Sequence, residues 1–105
     1  MGRGKSKPFY PLAEVRSLIE ECRVDISSRV RAQAKGELEC DEGGILEAIL
    51  ALGPADWDKS MPVEYDPGCV ADVYKPVLAG GGDRAYIKFY IDQDNRLRVL
   101  SFKLK

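Results

Sequence analysis

The chain has 105 residues, of which 45% are hydrophobic and 31% are charged, and this balance suits one folded domain rather than a disordered segment. No apolar stretch is long enough to cross a bilayer, and the basic N-terminus lacks the apolar run of a secretory signal. We therefore expect a cytoplasmic protein with no membrane partner. The formal net charge of −1 argues against a protein whose whole surface binds nucleic acid.

Histidine is absent, and the three cysteines are Cys22, Cys40 and Cys69. Their odd number and wide spacing, without a C-x-x-C pair, argue against a disulfide framework or a zinc knuckle and favour reduced thiols. The lack of histidine removes the commonest metal ligand and the commonest general base. The sequence therefore predicts no metal and no cofactor, and it disfavours a metalloenzyme or a serine–histidine hydrolase.

Residues 1–7 are predicted to form a flexible basic tail, and residues 8–105 a single domain. Apolar residues at helical spacing predict a first helix that follows Pro11 and ends near Cys22. We expect residues 24–26 to form a short extended link to the next helix.

Two further helices are predicted from their capping residues. Ser28 is expected to cap the second helix, which Gly36 would end. Asp41 is expected to cap the third, a strongly apolar helix that stops at Gly53-Pro54.

Beyond Pro54 the apolar residues change from helical spacing to alternation, which predicts strands separated by turns. The predicted strands cover residues 70–78, 85–91 and 96–104. Helices followed by an antiparallel meander predict an α+β fold, with the N-terminal helices packed on one face of a mainly antiparallel sheet.

The last two strands can be resolved into faces because successive strand side chains point to opposite sides of a sheet. If an even number of residues joins the strands, Ile87 and Phe89 share a core face with three later residues. These are Leu100, Phe102 and Leu104. The other face then carries Tyr86 and Lys88 together with Val99, Ser101 and Lys103. Tyr86 lies opposite either Ser101 or Lys103, depending on the loop length. Both registers place Tyr86 within reach of Lys103.

Cutting RNA without a metal requires a group that takes the 2′-hydroxyl proton, a cation for the phosphate and a proton for the leaving oxygen. Without histidine, these tasks fall to lysine, tyrosine, arginine or carboxylates. Tyr86, Lys88 and Lys103 form such a set on one strand face. Alternation alone favours a simpler interpretation, in which these residues are a solvated sheet surface.

Several short motifs make the chain similar to one family, the MqsR toxins of bacterial toxin–antitoxin pairs. In chain order these motifs are Pro11-Leu12-Ala13-Glu14-Val15, Lys59-Ser60-Met61, Asp72-Val73-Tyr74-Lys75-Pro76, Ala85-Tyr86-Ile87-Lys88 and Val99-Leu100-Ser101-Phe102-Lys103. They are spaced as in the family and extend over nearly all of the chain after the tail.

The resemblance implies a RelE-like fold and an endoribonuclease that cuts mRNA, with a preference for GC-containing sites such as GCU. It also implies a cognate antitoxin, typically a zinc-containing protein with a DNA-binding domain. The family's active-site lysines and tyrosine fall on Lys59, Tyr86 and Lys103. We assign Lys59 to holding the scissile phosphate, Tyr86 to acting as base or orienting group, and Lys103 to stabilising the charged transition state.

Residues near these three are further candidates for contact with RNA, namely Lys75, Lys88 and Ser101. One position departs from the family pattern, because Ala71 stands where the family has an active-site glutamine. An alanine side chain can neither donate nor accept a hydrogen bond. We expect its Cβ to open toward the same cleft as Lys59.

Two alternatives to a ribonuclease remain open. Ala71 favours a catalytically weak or inactive relative that serves as an interaction module for an antitoxin-like protein. The basic tail and hairpin would also suit a general RNA-binding protein.

Overall fold

The structure is a computed structural model that describes residues 7–79 and 82–105. The elements in chain order are α1 (Leu12–Glu20), β1 (Val24–Ile26), α2 (Ser28–Leu38), α3 (Glu42–Leu50), β2 (Trp57–Pro62), β3 (Val70–Tyr74), β4 (Ala85–Ile91) and β5 (Leu97–Leu104). Apart from Lys7, the predicted tail lies outside the described residues, as do Gly80 and Gly81 of the turn before β4. No helix in the described ranges has the length and apolar character that a bilayer crossing needs.

Both ends of α2 differ from the prediction. Ser27, not Ser28, caps the helix, because its extended backbone lets its hydroxyl accept a hydrogen bond from the Val30 N–H at 3.2 Å. The helix continues through Gly36 to Leu38 and is closed by Glu39 in the left-handed conformation, at φ 54°. The expected end at Gly36 is therefore wrong, since a left-handed residue other than glycine terminates this helix.

The predicted cap of α3 is confirmed, because the Asp41 carboxylate accepts a hydrogen bond from the Gly44 N–H at 2.8 Å. The helix ends at Leu50, three residues before Gly53. Arg16 of α1 donates to the carbonyls of Leu50 and Leu52 at 3.2 and 2.8 Å. These bonds satisfy carbonyls that a helix end otherwise leaves without partners.

The sheet has the strand order β1-β5-β4-β3-β2, with antiparallel pairing from β5 to β2 and a parallel pairing of β1 with β5. The predicted α+β class is confirmed. Residues 24–26, which were expected to be only a link, form the edge strand β1. Strand β2 was not expected, and β3 ends at Tyr74 rather than continuing to Leu78.

The inner face of the sheet packs against all three helices and contains the main core. The fully buried core includes Val15 of α1, Val30 of α2 and Ile45 of α3. On the sheet, the strands contribute further buried residues: Tyr74, Ile87, Phe89, Leu97, Val99 and Phe102. The helices thus leave the other face of the sheet, called the outer face below, free to carry a site.

A β-bulge changes the predicted faces of β5. Ile87 lies opposite Phe102, as expected, but the register shifts between Lys88 and Phe89, so that Phe89 lies opposite Val99. Val99 therefore enters the core, and Leu100 packs against a smaller cluster with Ala71 and Tyr90. The predictions that Leu100 faces the core and that Val99 faces away from it are wrong, because a bulge inserts one extra residue into the strand.

Leu104 differs too. It lies opposite Ala85 at the open end of the hairpin and is 46% exposed.

Candidate active site on the outer face of the sheet

Four lysines and one tyrosine, called the lysine face below, lie on the outer face and belong to four neighbouring chain segments. They are Lys59, Lys75, Lys88, Lys103 and Tyr86. Lys59 of β2 lies opposite Val73 of β3. Val73 lies opposite Lys88 of β4, and Lys88 lies opposite Ser101 of β5. Since neighbouring strands are about 5 Å apart, this row brings residues distant in sequence into one polar surface above the buried Val73.

Tyr86 lies between two ammonium groups. It is directly opposite Lys103 in the β4–β5 ladder, and the Lys103 Nζ is 5.3 Å from the centroid of its ring. The Lys75 Nζ is 6.0 Å from the same centroid. Such distances suit cation–π attraction. The prediction that Tyr86 and Lys103 share one face, with Phe102 pointing into the core, is confirmed.

Lys75 is positioned by a carboxylate that the sequence did not single out. The Lys75 Nζ lies 3.1 Å from Asp58 Oδ2, and both side chains are partly exposed. Asp58 sits where the register of β2 shifts between Trp57 and Lys59. This bulge brings a carboxylate onto the lysine face, where it offsets part of the positive charge.

Ala71 occupies the row next to Lys59 on the outer face, but it is completely buried. It lies opposite Met61 and packs in a cluster with Val63 and Tyr90. The expected opening of its Cβ toward the cleft is therefore absent, since neighbouring side chains cover it.

Asp72 is a buried carboxylate that sequence reasoning passed over. It accepts hydrogen bonds from the backbone N–H groups of Phe9 and Tyr10 at 3.0 and 2.9 Å, and from the Ser60 hydroxyl at 2.5 Å. The Lys59-Ser60-Met61 and Asp72-Val73-Tyr74 motifs thus contact each other across β2 and β3. The Ser60 and Asp72 side chains point inward and join the two strands, and Lys59 points outward and belongs to the lysine face. The sequence did contain a signal for this buried carboxylate, since Asp72 is the one acidic residue of the otherwise apolar strand β3.

A turn from Val63 to Cys69 lies near the lysine face and is hydrogen-bonded to β4 through Tyr90. The Tyr90 hydroxyl donates a hydrogen bond to Asp66 Oδ2 at 2.9 Å. Burial, reinforced by this bond to a carboxylate, raises the pKa of Tyr90 to about 12. The phenol therefore remains neutral and keeps its donor role at physiological pH.

The β4–β5 connection is organised by Asp92, whose carboxylate accepts bonds from the N–H groups of Asp94 and Arg96 and from Arg98 Nε at 2.7 Å. Burial opposes ionisation of this group, but the Arg98 guanidinium and the backbone donors outweigh that effect and hold the Asp92 pKa below its usual range. A charged Asp92 thus closes the hairpin that presents Tyr86 and Lys103.

Two comparisons with known proteins bear on this site. Residues 7–104 match the family described as "Motility quorum-sensing regulator, toxin of MqsA". The chain is also 31% identical over 101 residues to the mRNA interferase toxin MqsR of Escherichia coli (strain K12), covering 96% of this chain and 98% of that relative. Both matches extend over the helices and over every strand of the lysine face. The chain therefore belongs to the MqsR toxin family.

Proposed function

We propose that this protein is the toxin of a toxin–antitoxin pair and a metal-independent endoribonuclease that cleaves mRNA at GC-containing sites. The observation that carries the proposal is the position of Tyr86 between the ammonium groups of Lys75 and Lys103. A relative with 31% identity is named as an mRNA interferase, and the lysine face supplies cations for a phosphate backbone.

In the proposed reaction, the 2′-hydroxyl oxygen of the RNA forms a bond to the neighbouring phosphorus, and the bond from phosphorus to the 5′-oxygen breaks. Tyr86 accepts the 2′-hydroxyl proton or orients that hydroxyl, while a solvent water donates a proton to the leaving 5′-oxygen. Lys59 holds the scissile phosphate, and Lys103 stabilises the charge that develops on it. Lys75, Lys88 and Ser101 bind the flanking RNA.

The proposed partner is a cognate antitoxin of the zinc-containing, DNA-binding type. The family description, which names a toxin of MqsA, supports a protein partner, and the zinc-containing, DNA-binding type is what the family resemblance implies. Binding of such a protein would neutralise the ribonuclease.

Cleavage is expected to continue undiminished in EDTA, because the proposed chemistry uses only lysine and tyrosine side chains. The products should end in a 2′,3′-cyclic phosphate or a 3′-phosphate and begin with a 5′-hydroxyl. Mass spectrometry of a defined oligonucleotide, incubated with and without EDTA, measures both features. Loss of activity in EDTA with recovery in magnesium would rule out this mechanism.

A glutamine at position 71 is longer than the alanine that its neighbours cover, so we expect its amide to extend past them to the RNA. Restoring this residue of the family pattern should then raise the rate on RNA with GC-containing sites by about ten- to a hundredfold, since one amide contact is worth about 1–3 kcal/mol. Because Ala71 is buried, the larger side chain should also destabilise the fold by about 1–3 kcal/mol. Initial rates and urea midpoints for Ala71→Gln and the parent protein measure the two effects.

Ala71→Leu is the matched control, because it adds similar volume without an amide. Equal rates for the Gln and Leu variants would remove any role for an amide at this position.

The second candidate function is a non-catalytic module that binds an antitoxin-like protein, and the buried Ala71 is the observation that favours it. If the parent protein and Ala71→Gln both fail to cleave RNA while remaining folded, this candidate replaces the ribonuclease.

A further inference from the structure

A cleft of about 600 Å³ opens on the outer face next to the lysine face. It lies between β1, the start of α2, the middle of β5 and the turn from Val63 to Cys69. The side chains that matter for its chemistry are those of Asp25, Arg29, Tyr65, Tyr90, Arg98 and Leu100. The proposed reaction does not use this cleft.

The rim of the cleft carries an aromatic ring that the fold exposes. Tyr65 is 71% exposed, although its turn is well ordered by hydrogen bonds. The Val63 N–H donates to the Cys69 carbonyl at 3.0 Å, and the Cys69 N–H donates to the Asp66 carbonyl at 3.1 Å. The bond from Tyr90 to Asp66 then ties this turn to the sheet. The turn thus presents a ring to solvent on a fixed support, as in proteins that stack unpaired RNA bases on aromatic side chains.

Hydrogen-bond donors line the floor and wall of the cleft. Arg98 uses its Nε for Asp92 at 2.7 Å, and the same Nε lies 3.7 Å from Asp25 Oδ2, which also lines the cleft. The two terminal nitrogens of Arg98 are then the donors that face a ligand. Arg29 is exposed and donates to the Leu100 carbonyl at 3.4 Å. Guanidinium groups can bind both base edges and phosphate oxygens. An aromatic ring beside such donors suits one nucleotide better than an apolar segment of a protein.

The cleft is continuous with the lysine face. Leu100, the extra residue of the β5 bulge, directly precedes Ser101, which lies opposite Lys88. Tyr90 lies opposite Arg98 and is two residues along β4 from Lys88. Two residues of a strand span about 7 Å, so the cleft begins one row of side chains from the lysines. A single RNA strand could therefore contact both surfaces with adjacent nucleotides.

We infer that this cleft binds one unstacked nucleobase of the RNA strand whose phosphates lie on the lysine face. Tyr65 stacks on the base, and Arg98 and Arg29 donate hydrogen bonds to its edge and to the adjoining phosphate. This inference rests on the proposed function and assigns it a recognition subsite. The bulge at Leu100 is what shapes the subsite, because it turns an apolar side chain outward beside Tyr90.

The test uses a fluorescent oligoribonucleotide that contains GCU and carries 2′-fluoro groups, so that it lacks the nucleophile and cannot be cleaved. Its dissociation constant is measured by anisotropy for the parent protein, Tyr65→Ala and Tyr65→Phe. Loss of stacking in Tyr65→Ala should weaken binding by about tenfold. Tyr65→Phe keeps the ring and should bind within about twofold of the parent. The matched control is Phe9→Ala, which removes another exposed aromatic ring, 47% exposed, away from the cleft.

The same oligonucleotide with a single abasic position, moved along the strand, locates the base. At one position the parent should lose about tenfold in affinity, and there Tyr65→Ala should lose nothing further, because the two changes remove the same contact. Equal binding by Tyr65→Ala and the parent, or a loss that is the same at every abasic position, would overturn the subsite.

Cleavage of the matched unmodified RNA distinguishes a failure of the base-binding subsite from a failure of the proposed ribonuclease function. If the parent cleaves it but Tyr65→Ala binds as tightly as the parent, only the subsite fails. If the folded parent neither binds nor cleaves, the proposed function and the subsite fail together.

Discussion

Replacing Lys103 by alanine is expected to lower the initial rate of RNA cleavage by about a hundred- to a thousandfold, the usual cost of removing one group that stabilises transition-state charge. Lys103 lies directly opposite Tyr86, and its ammonium group is 5.3 Å from the tyrosine ring centroid. The melting temperature should stay close to that of the parent, because a partly exposed lysine contributes little to stability. Rates on one defined oligonucleotide and thermal melts measure the two effects.

Lys105→Ala is the control for this variant, because Lys105 is an exposed lysine two residues further along the same chain end. It should cleave at close to the parent rate. If Lys105→Ala and Lys103→Ala lower the rate equally, the loss reflects general positive charge, and Lys103 has no special place in the reaction.

Lys59→Ala should abolish cleavage in the same assay, since no scissile phosphate would then be held.

Replacing Phe102 by alanine is expected to destabilise the domain by about 3–5 kcal/mol, as for other buried aromatic side chains. Phe102 is completely buried, lies opposite Ile87 and belongs to the core between the sheet and the helices. Its neighbour Lys103 points to the other face, so adjacent residues should give opposite phenotypes. Urea denaturation monitored by Trp57 fluorescence measures the change.

Leu104→Ala is the comparison for the core variant. Leu104 is on the same strand but is 46% exposed, so its truncation should cost far less. Equal urea midpoints for Phe102→Ala and Lys103→Ala would contradict the assignment of the two faces.

Local patterns predicted several elements because their causes are local. The start of α1 after Pro11 and the cap of α3 at Asp41 follow from residue preferences within one helical turn. The opposite directions of Tyr86 and Ile87 follow from the geometry of a single strand. These features required no knowledge of which segments pair.

The pairing of Tyr86 with Lys103 was predicted from a simpler hairpin than the one observed. The predicted pairing requires an even-length loop, whereas Ile91 lies opposite Leu97 across five intervening residues. That odd-length loop alone would put Tyr86 and Lys103 on different faces. The bulge at Leu100 shifts the register by one residue and restores the predicted pairing. The odd-length loop and the bulge thus cancel at the pair Tyr86 and Lys103, but they reverse the faces of Val99 and Leu100.

Strands β1 and β2 could not be recognised in advance. Three residues carry too little alternation to define β1, and its pairing with β5 joins segments more than seventy positions apart. In β2, the bulge at Asp58 interrupts the alternation that identifies a strand. Without β2, local patterns could not place Lys59 in the same row of the sheet as Lys88.

By itself, the sequence determined the α+β order of the chain, the two faces around Tyr86 and the residues that make the chain resemble the MqsR toxins, because propensity, alternation and short motifs reside in neighbouring residues. The tertiary structure alone decided that Lys59 and Lys75 join Tyr86 and Lys103, that Asp58 holds Lys75, and that Ala71 lies covered under Tyr90. Those arrangements depend on strand register and on two bulges. Both are set by packing between distant segments, so a local pattern does not specify them.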